Sequence, residues 1–286
     1  MVATPDALRG RLPDRDGRGR PRGDADAASV IPDDDWLRAL ARRRGPLTVV
    51  GRAALTGGYA SEGAERVDLS DGTSVVVKAA AAREVAALRA VAVVPTLAEP
   101  VLLAAGTGWV VVPFHDGPPL ADDEPVPAAV LTMLDRVHTH WRGKRPRTVP
   151  VADAAWWREL CLQRIVPAVD PVTPSVAARI RAWADDPRAL HAATAVPRTL
   201  THGDPHRGNV LGGRLIDWGN ARVAPRGFDL AVLRAQGTDV ATGDASEDGW
   251  SDLAMAVAYL GFAADHLGAA RVHELAAMAE AGLHTL

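Results

Sequence analysis

The sequence predicts an α+β fold of two lobes: a small β-rich N-terminal lobe and a larger, mainly helical C-terminal lobe. Three observations carry this. Between Leu47 and Val112 the apolar residues recur mostly at period two, with Asp71-Gly72 as a hairpin turn between two runs. Pro113 to Pro119 is a connector punctuated by proline and glycine. Beyond it the apolar spacing is that of helices. The expected division is 33–112 for the first lobe, 113–117 for a hinge and 118–286 for the second lobe.

Residues 1–32 are rich in Arg, Asp, Gly and Pro and lack periodicity. A disordered leader, or a start set too far upstream, is expected there. Asp33, Asp34 and Asp35 before Trp36, Leu37 and Leu40, closed by Gly45, are helix start and stop signals. Strands follow at Leu47 to Val50, around Val67 and Leu69, and at Val75 to Val77. A helix over 81–92 sets Val85, Leu88 and Val91 on one face, and Pro95 stops it. Two short strands are expected near 101–103 and 109–112. Helices are expected over 126–140, 153–167, 174–185, 246–265 and 269–282. Among them lies one β segment, in which Asn209 to Leu211 and Arg214 to Ile216 flank a Gly212-Gly213 turn and Asp217 ends the return strand. A cleft between the lobes is the default place for a ligand.

The chain has 286 residues and a formal net charge of -3, with 32 basic against 35 acidic residues. That balance argues against a nucleic-acid binder. No apolar run approaches the roughly 18 residues of a membrane helix. Cys161 is the single cysteine, so an internal disulfide or cysteine zinc site is excluded and a reducing, cytoplasmic setting is expected. Only Lys78 and Lys144 break an otherwise all-Arg set of basic residues. Gly143-Lys144 is followed by Arg145, which excludes a Walker A loop, and no Gly-x-Ser-x-Gly or His-Glu-x-x-His is present. His138 and His140 are read as surface or core residues.

Chemistry concentrates at Thr201 to Leu211 and Leu215 to Gly219. Asp204 lies in a loop, Asn209 follows five residues on, and Asp217 ends the hairpin. A two-residue turn brings Asn209 and Asp217 close together. Their oxygens are hard ligands suited to Mg²⁺ holding phosphates. Asp204 is then free to face an incoming hydroxyl as base or orienting acceptor. The catalytic loop of protein kinases divides its labour in this way.

His202-Gly203-Asp204 with Asn209, then Ile216-Asp217-Trp218, then Pro225 to Ala231, resemble the aminoglycoside phosphotransferase and choline kinase family of small-molecule kinases. The resemblance covers about 47–286. It implies a protein-kinase-like fold, with Asp229 supporting the catalytic loop; His202 by itself is read as structural, bracing the loop by hydrogen bonds. It implies ATP or GTP as co-substrate, Mg²⁺, and a small-molecule hydroxyl acceptor. Lys78, ending an apolar strand, would reach the nucleotide phosphates. Glu84 would pair with it, although a spacing of six is short for this family. Gly57, Gly58 and Ser61 would cover the phosphates with backbone N–H groups, or form a plain hairpin. Pro113, Phe114 and His115, within Val112 to Asp116, would hold the purine. A protein kinase is disfavoured, because only ten residues separate Asp217 from Phe228.

Within the family an antibiotic acceptor, an aminoglycoside or another cationic antibiotic, is the first expectation. A metabolic kinase for choline, an amino alcohol or a sugar is the second, and a nucleotide-binding pseudokinase module the third. A polycation would be collected by Asp122, Asp123 and Glu124, or by Asp244, Glu247, Asp248 and Asp252. A quaternary ammonium would want an aromatic cage, for which Trp156, Trp157 and Trp250 are candidates. A monomer or homodimer is expected.

Overall fold

The computed structural model describes residues 31–55, 63–95 and 97–286. Gly57, Gly58 and Ser61 lie outside the described residues. Helix α1 (Asp33–Arg44) has three aspartates in its first turn and Arg42, Arg43 and Arg44 in its last. Both ends complement the helix dipole. It buries Trp36 and Leu40 against an antiparallel sheet. Ile31 packs on the same cluster.

The sheet comprises β1 (Val49–Ala54), β2 (Glu65–Leu69), β3 (Ser74–Ala79), β4 (Ala104–Ala105) and β5 (Trp109–Pro113), in the order β1-β2-β3-β5-β4. Val75 and Val77 of β3 face α1 with Val67, Leu69 and Val111. Alternation along the strand therefore turns Val76 and Lys78 to the other face. That side receives α2 (Ala82–Ala92), which follows β3 almost at once. Sheet pairing near 101–103 begins only at Leu103, whose N–H donates to Val111 at 2.9 Å. Val101 and Leu102 pack instead on the cluster around α2. Pro113 ends β5 and so belongs to the sheet as well as to the connector.

The second lobe contains α3 (Ala128–Trp141), α4 (Ala154–Glu159), a π-helical stretch (Leu160–Ile165), α5 (Val166–Val169), α6 (Pro174–Ala184), α7 (Pro187–Ala195), α8 (Gly227–Arg234), α9 (Ala245–Phe262) and α10 (Ala269–Thr285). The helix expected over 153–167 is thus three segments. The unexpected α7 buries a face of alanines, Ala189, Ala192 and Ala193, which gives little periodic signal. Strand β6 (Thr199–Thr201) pairs with β9 (Arg222–Ala224), and β7 (Val210–Leu211) pairs with β8 (Arg214–Leu215).

Among the described residues three apolar clusters hold the fold together. One lies between α1 and the sheet, and one fills the far helical region around α9 and α10. The third joins the lobes: Val85, Leu88 and Val91 of α2 share it with Val130, Leu134 and Val137 of α3 and with Leu215 and Trp218. Among the described residues no helix is long and apolar enough to cross a membrane.

Candidate active site

Lys78 and Glu84 meet at the lobe junction, with Nζ to Oε1 at 2.6 Å. Ala80 N–H donates to the Gly108 carbonyl at 2.9 Å, and the chain turns directly into α2. That abrupt passage is why a spacing of six suffices. Lys78 Nζ also lies 4.0 Å from Asp217 Oδ1 of the other lobe. Lys78, Glu84, Pro113, His115, Asp217 and Trp218 line one cavity. Burial outweighs the opposing Glu99 charge and lowers the His115 pKa. Phe114 is not on that lining: its ring lies under the Arg66 guanidinium, 4.5 Å from centre to carbon.

The loop after β6 is held from beneath by Asp229. Its Oδ1 accepts from Gly203 N–H at 2.8 Å and its Oδ2 from His202 N–H at 2.9 Å. His138 Nε2 also lies 2.8 Å from Oδ2. Burial alone would raise the Asp229 pKa, but the His138 hydrogen bond and charge, with the Gly203 N–H, hold it below the usual carboxylate value. Gly203 has φ of 83°, and a Cβ there would stand 2.2 Å from the Asn220 carbonyl oxygen. Only glycine fits that turn. His202 Nε2 donates to the Ile216 carbonyl at 2.8 Å, and its Nδ1 accepts from Asp204 N–H at 3.3 Å. Burial pushes the His202 pKa down, so the neutral ring makes both bonds.

Asp204 is fully buried. Tyr259 of α9 donates to Oδ1 at 2.5 Å, and Asn220 Nδ2 donates to Oδ2 at 3.2 Å. Burial and the charge of Asp204 raise the Tyr259 pKa well above the ordinary phenol value, so it stays a donor. Asn209 Nδ2 donates to the Asp204 carbonyl at 2.9 Å. That bond fixes the amide and leaves its Oδ1 as an acceptor. Gly212 and Gly213 carry the turn with φ of 53° and 74°. The hairpin returns so that Ile216 N–H donates to the Asn209 carbonyl at 2.8 Å. Asp217 follows in the left-handed region, φ 65°, with Oδ1 accepting from Gly219 N–H at 3.3 Å. The amide oxygen of Asn209 and the carboxylate of Asp217 are a donor set that fits Mg²⁺, which takes few protein ligands when it holds phosphates. Among the described residues no group of three or more His, Cys, Asp or Glu could hold a metal by itself.

The sequence matches the model of the phosphotransferase enzyme family over residues 70–274. The chain belongs to that family. Solved structures share the fold of this phosphotransferase. A thermostable mutant of aminoglycoside phosphotransferase APH(4)-Ia is 16% identical, with 87% of this chain and 98% of that chain covered and a TM-score of 0.56. A further variant of that enzyme, solved as a ternary complex with ADP and hygromycin B, is 14% identical at TM-score 0.54, with 87% and 98% covered. Choline kinase LicA from Streptococcus pneumoniae is 15% identical, with 88% and 98% covered and a TM-score of 0.54. Among curated proteins none matches the sequence. At these identities the likeness to solved structures shows the fold, which is protein-kinase-like. Family membership makes the chain a small-molecule kinase with a hydroxyl acceptor.

Several carboxylates considered for a cationic acceptor are committed within the phosphotransferase itself. Glu247 Oε1 accepts from Gly227 N–H at 2.9 Å. Asp248 and Asp252 pair with Arg234 at 2.9 and 2.6 Å, and Asp244 caps α9. Trp157 and Trp250 are core residues. Trp156 is half-buried against the Arg222 guanidinium, 5.3 Å from ring centre to carbon. Sequence reasoning missed Tyr259, Asn220, Arg222 and the role of His138. Tyr259 alone left a signal, as one of two tyrosines and set in an apolar helix.

Proposed function

We propose that this site moves the γ-phosphoryl group of ATP or GTP to a hydroxyl of a small molecule, with Asp204 as the catalytic residue. The observation that carries the reading is the meeting of Lys78 with both Glu84 and Asp217 across the lobe junction. Lys78, steered by Glu84, would contact the nucleotide phosphates. Pro113 and His115 would flank the purine with Phe114 braced behind them, and Gly57, Gly58 and Ser61 keep their assignment to the phosphates. Asn209 and Asp217 would hold Mg²⁺, which when bound neutralises phosphate charge.

The acceptor hydroxyl replaces Tyr259 or Asn220 at the Asp204 carboxylate. Its oxygen forms a bond to the γ-phosphorus as the bond to the β,γ-bridging oxygen breaks. The hydroxyl proton passes to Asp204, and the electron pair leaves with the nucleoside diphosphate. Catalysis is then positioning and charge placement rather than covalent chemistry by the protein.

A metabolic acceptor is favoured over a polycation gathered by the later acidic cluster, because Glu247, Asp248 and Asp252 already have partners, while Asp122, Asp123 and Glu124 are exposed. The buried thiol of Cys161 is in keeping with a cytoplasmic location. The test is an ADP-release screen over metabolites and antibiotics, with product mass as confirmation. Phosphorylation of a metabolite, abolished in Asp204→Ala, is the expected result. Phosphorylation of an aminoglycoside or macrolide would restore the antibiotic reading. Nucleotide binding without turnover on any acceptor would favour a pseudokinase.

A further inference from the structure

Arg222 lies on β9, two residues after Asn220, the side chain that donates to Asp204. Its guanidinium carbon stands 5.3 Å from the centre of the Trp156 ring and 5.1 Å from that of Phe228. Its Nε donates to the Asn220 carbonyl at 3.2 Å and lies 3.3 Å from where a Cβ of Gly203 would be. The group is thus pinned against the backbone of the residue before Asp204. Among the described residues Arg222 forms no ion pair, and its two terminal nitrogens make no hydrogen bond.

The nearby negative charges are already answered. Asp204 receives Tyr259 and Asn220, and Asp229 receives His138 and two backbone N–H groups. Burial first, then Arg164, pushes the Arg222 pKa down to about 10, against the opposing pull of Asp204. A half-buried guanidinium whose terminal nitrogens lack hydrogen bonds is costly, and an oxyanion beside it would relieve that cost. A guanidinium fork binds carboxylate or phosphate through two parallel hydrogen bonds.

We propose that the hydroxyl acceptor carries an oxyanion, a carboxylate or a phosphate, that binds the Arg222 guanidinium beside Asp204. The aromatic faces that would cage a quaternary ammonium are already taken at Trp156 by the chain's own cation. This inference rests on the phosphotransferase reading above and names its acceptor class.

The test uses the full chain loaded with Mg²⁺ and AMP-PNP, so that the γ-phosphate position is filled. Loading is measured first: failure to bind AMP-PNP would count against the functional reading. Inorganic phosphate and acetate are then titrated by calorimetry at constant ionic strength, with chloride as the balancing salt. The inference expects saturable binding of at least one probe, weakened about tenfold or more in Arg222→Gln, with Arg222→Lys intermediate. The stronger probe distinguishes phosphate from carboxylate. In parallel, wild-type turnover is compared on glycerate, glycerol 3-phosphate and glycerol, and on sugar acids against neutral and amino sugars. The charged acids should be preferred. The inference is overturned by preference for neutral or cationic acceptors, by probe binding no better than chloride, or by Arg222→Gln binding the probes like wild type. It is equally overturned if Arg222→Gln weakens AMP-PNP as much as it weakens the probes, since the guanidinium would then serve the nucleotide.

Discussion

The Asp204 carboxylate is buried with two donors already in place, so any acceptor hydroxyl competes with Tyr259 or Asn220 for it. Replacing Asp204 by Ala should lower kcat by on the order of 10²–10⁴. AMP-PNP affinity in the same variant should stay near wild type, as equilibrium titration would show. Tyr259→Phe removes a hydrogen bond to a buried carboxylate and should lower stability by about 1.5–3 kcal/mol, read from urea unfolding. A change within error would mean that Asn220 alone satisfies the group. His202 supplies a pH dependence. Its folded pKa lies below the ordinary value, so the unfolded chain takes up a proton first as pH falls. The His202 contribution is therefore intact above about pH 6.5 and is lost as pH drops below it. Unfolding midpoints between pH 8 and 5 should fall in wild type and fall less steeply in a folded His202→Gln variant. The motif residues Asp204, Asn209 and Asp217 were readable because their spacing is local. Tyr259 lies 55 residues from Asp204, and only the packing of α9 brings it there.

Among the elements, β3 and α2 act as one unit. Lys78 and Glu84 join them, and the two-residue connector leaves no slack. Glu84→Gln should weaken nucleotide affinity in the same direction as Lys78→Ala but by less, because the ammonium survives while losing its steering partner. Equal affinity in Glu84→Gln and wild type would mean that Asp217 orients Lys78 alone. The hairpin of β7 and β8 was legible from its Gly212-Gly213 turn, and strands β2 and β3 from Asp71-Gly72. Less legible was the stretch 153–167, where one apolar period continues through α4, the π-helical turn and α5. Period alone does not register the extra residue per turn of a π segment. Helix α7 was missed for the opposite reason, as its buried face is alanine. Its Asp186-Pro187 start was nonetheless present, with Asp186 accepting from Arg188 N–H at 2.9 Å.

Across the whole molecule, the two-lobe division was readable from the change of period and the Pro-rich connector. The core that spans both lobes was not. Helix α2 buries Val85, Leu88 and Val91 against α3 and Trp218, a match between distant segments that no local pattern announces. The acidic cluster at 244–252 shows the same limit, because a charge run does not reveal that Arg234 and Gly227 N–H lie opposite it. The central claim is that Lys78, Asn209 and Asp217 form one magnesium–nucleotide site beside Asp204. Calorimetric titration of AMP-PNP with and without Mg²⁺, in wild type, Asp217→Ala and Asn209→Ala, tests it most directly. Metal-dependent binding should be strongest in wild type, weaker in Asn209→Ala and weakest in Asp217→Ala, which loses a charged rather than a neutral oxygen ligand. Binding in Asp217→Ala that keeps the wild-type affinity and metal dependence would contradict the account.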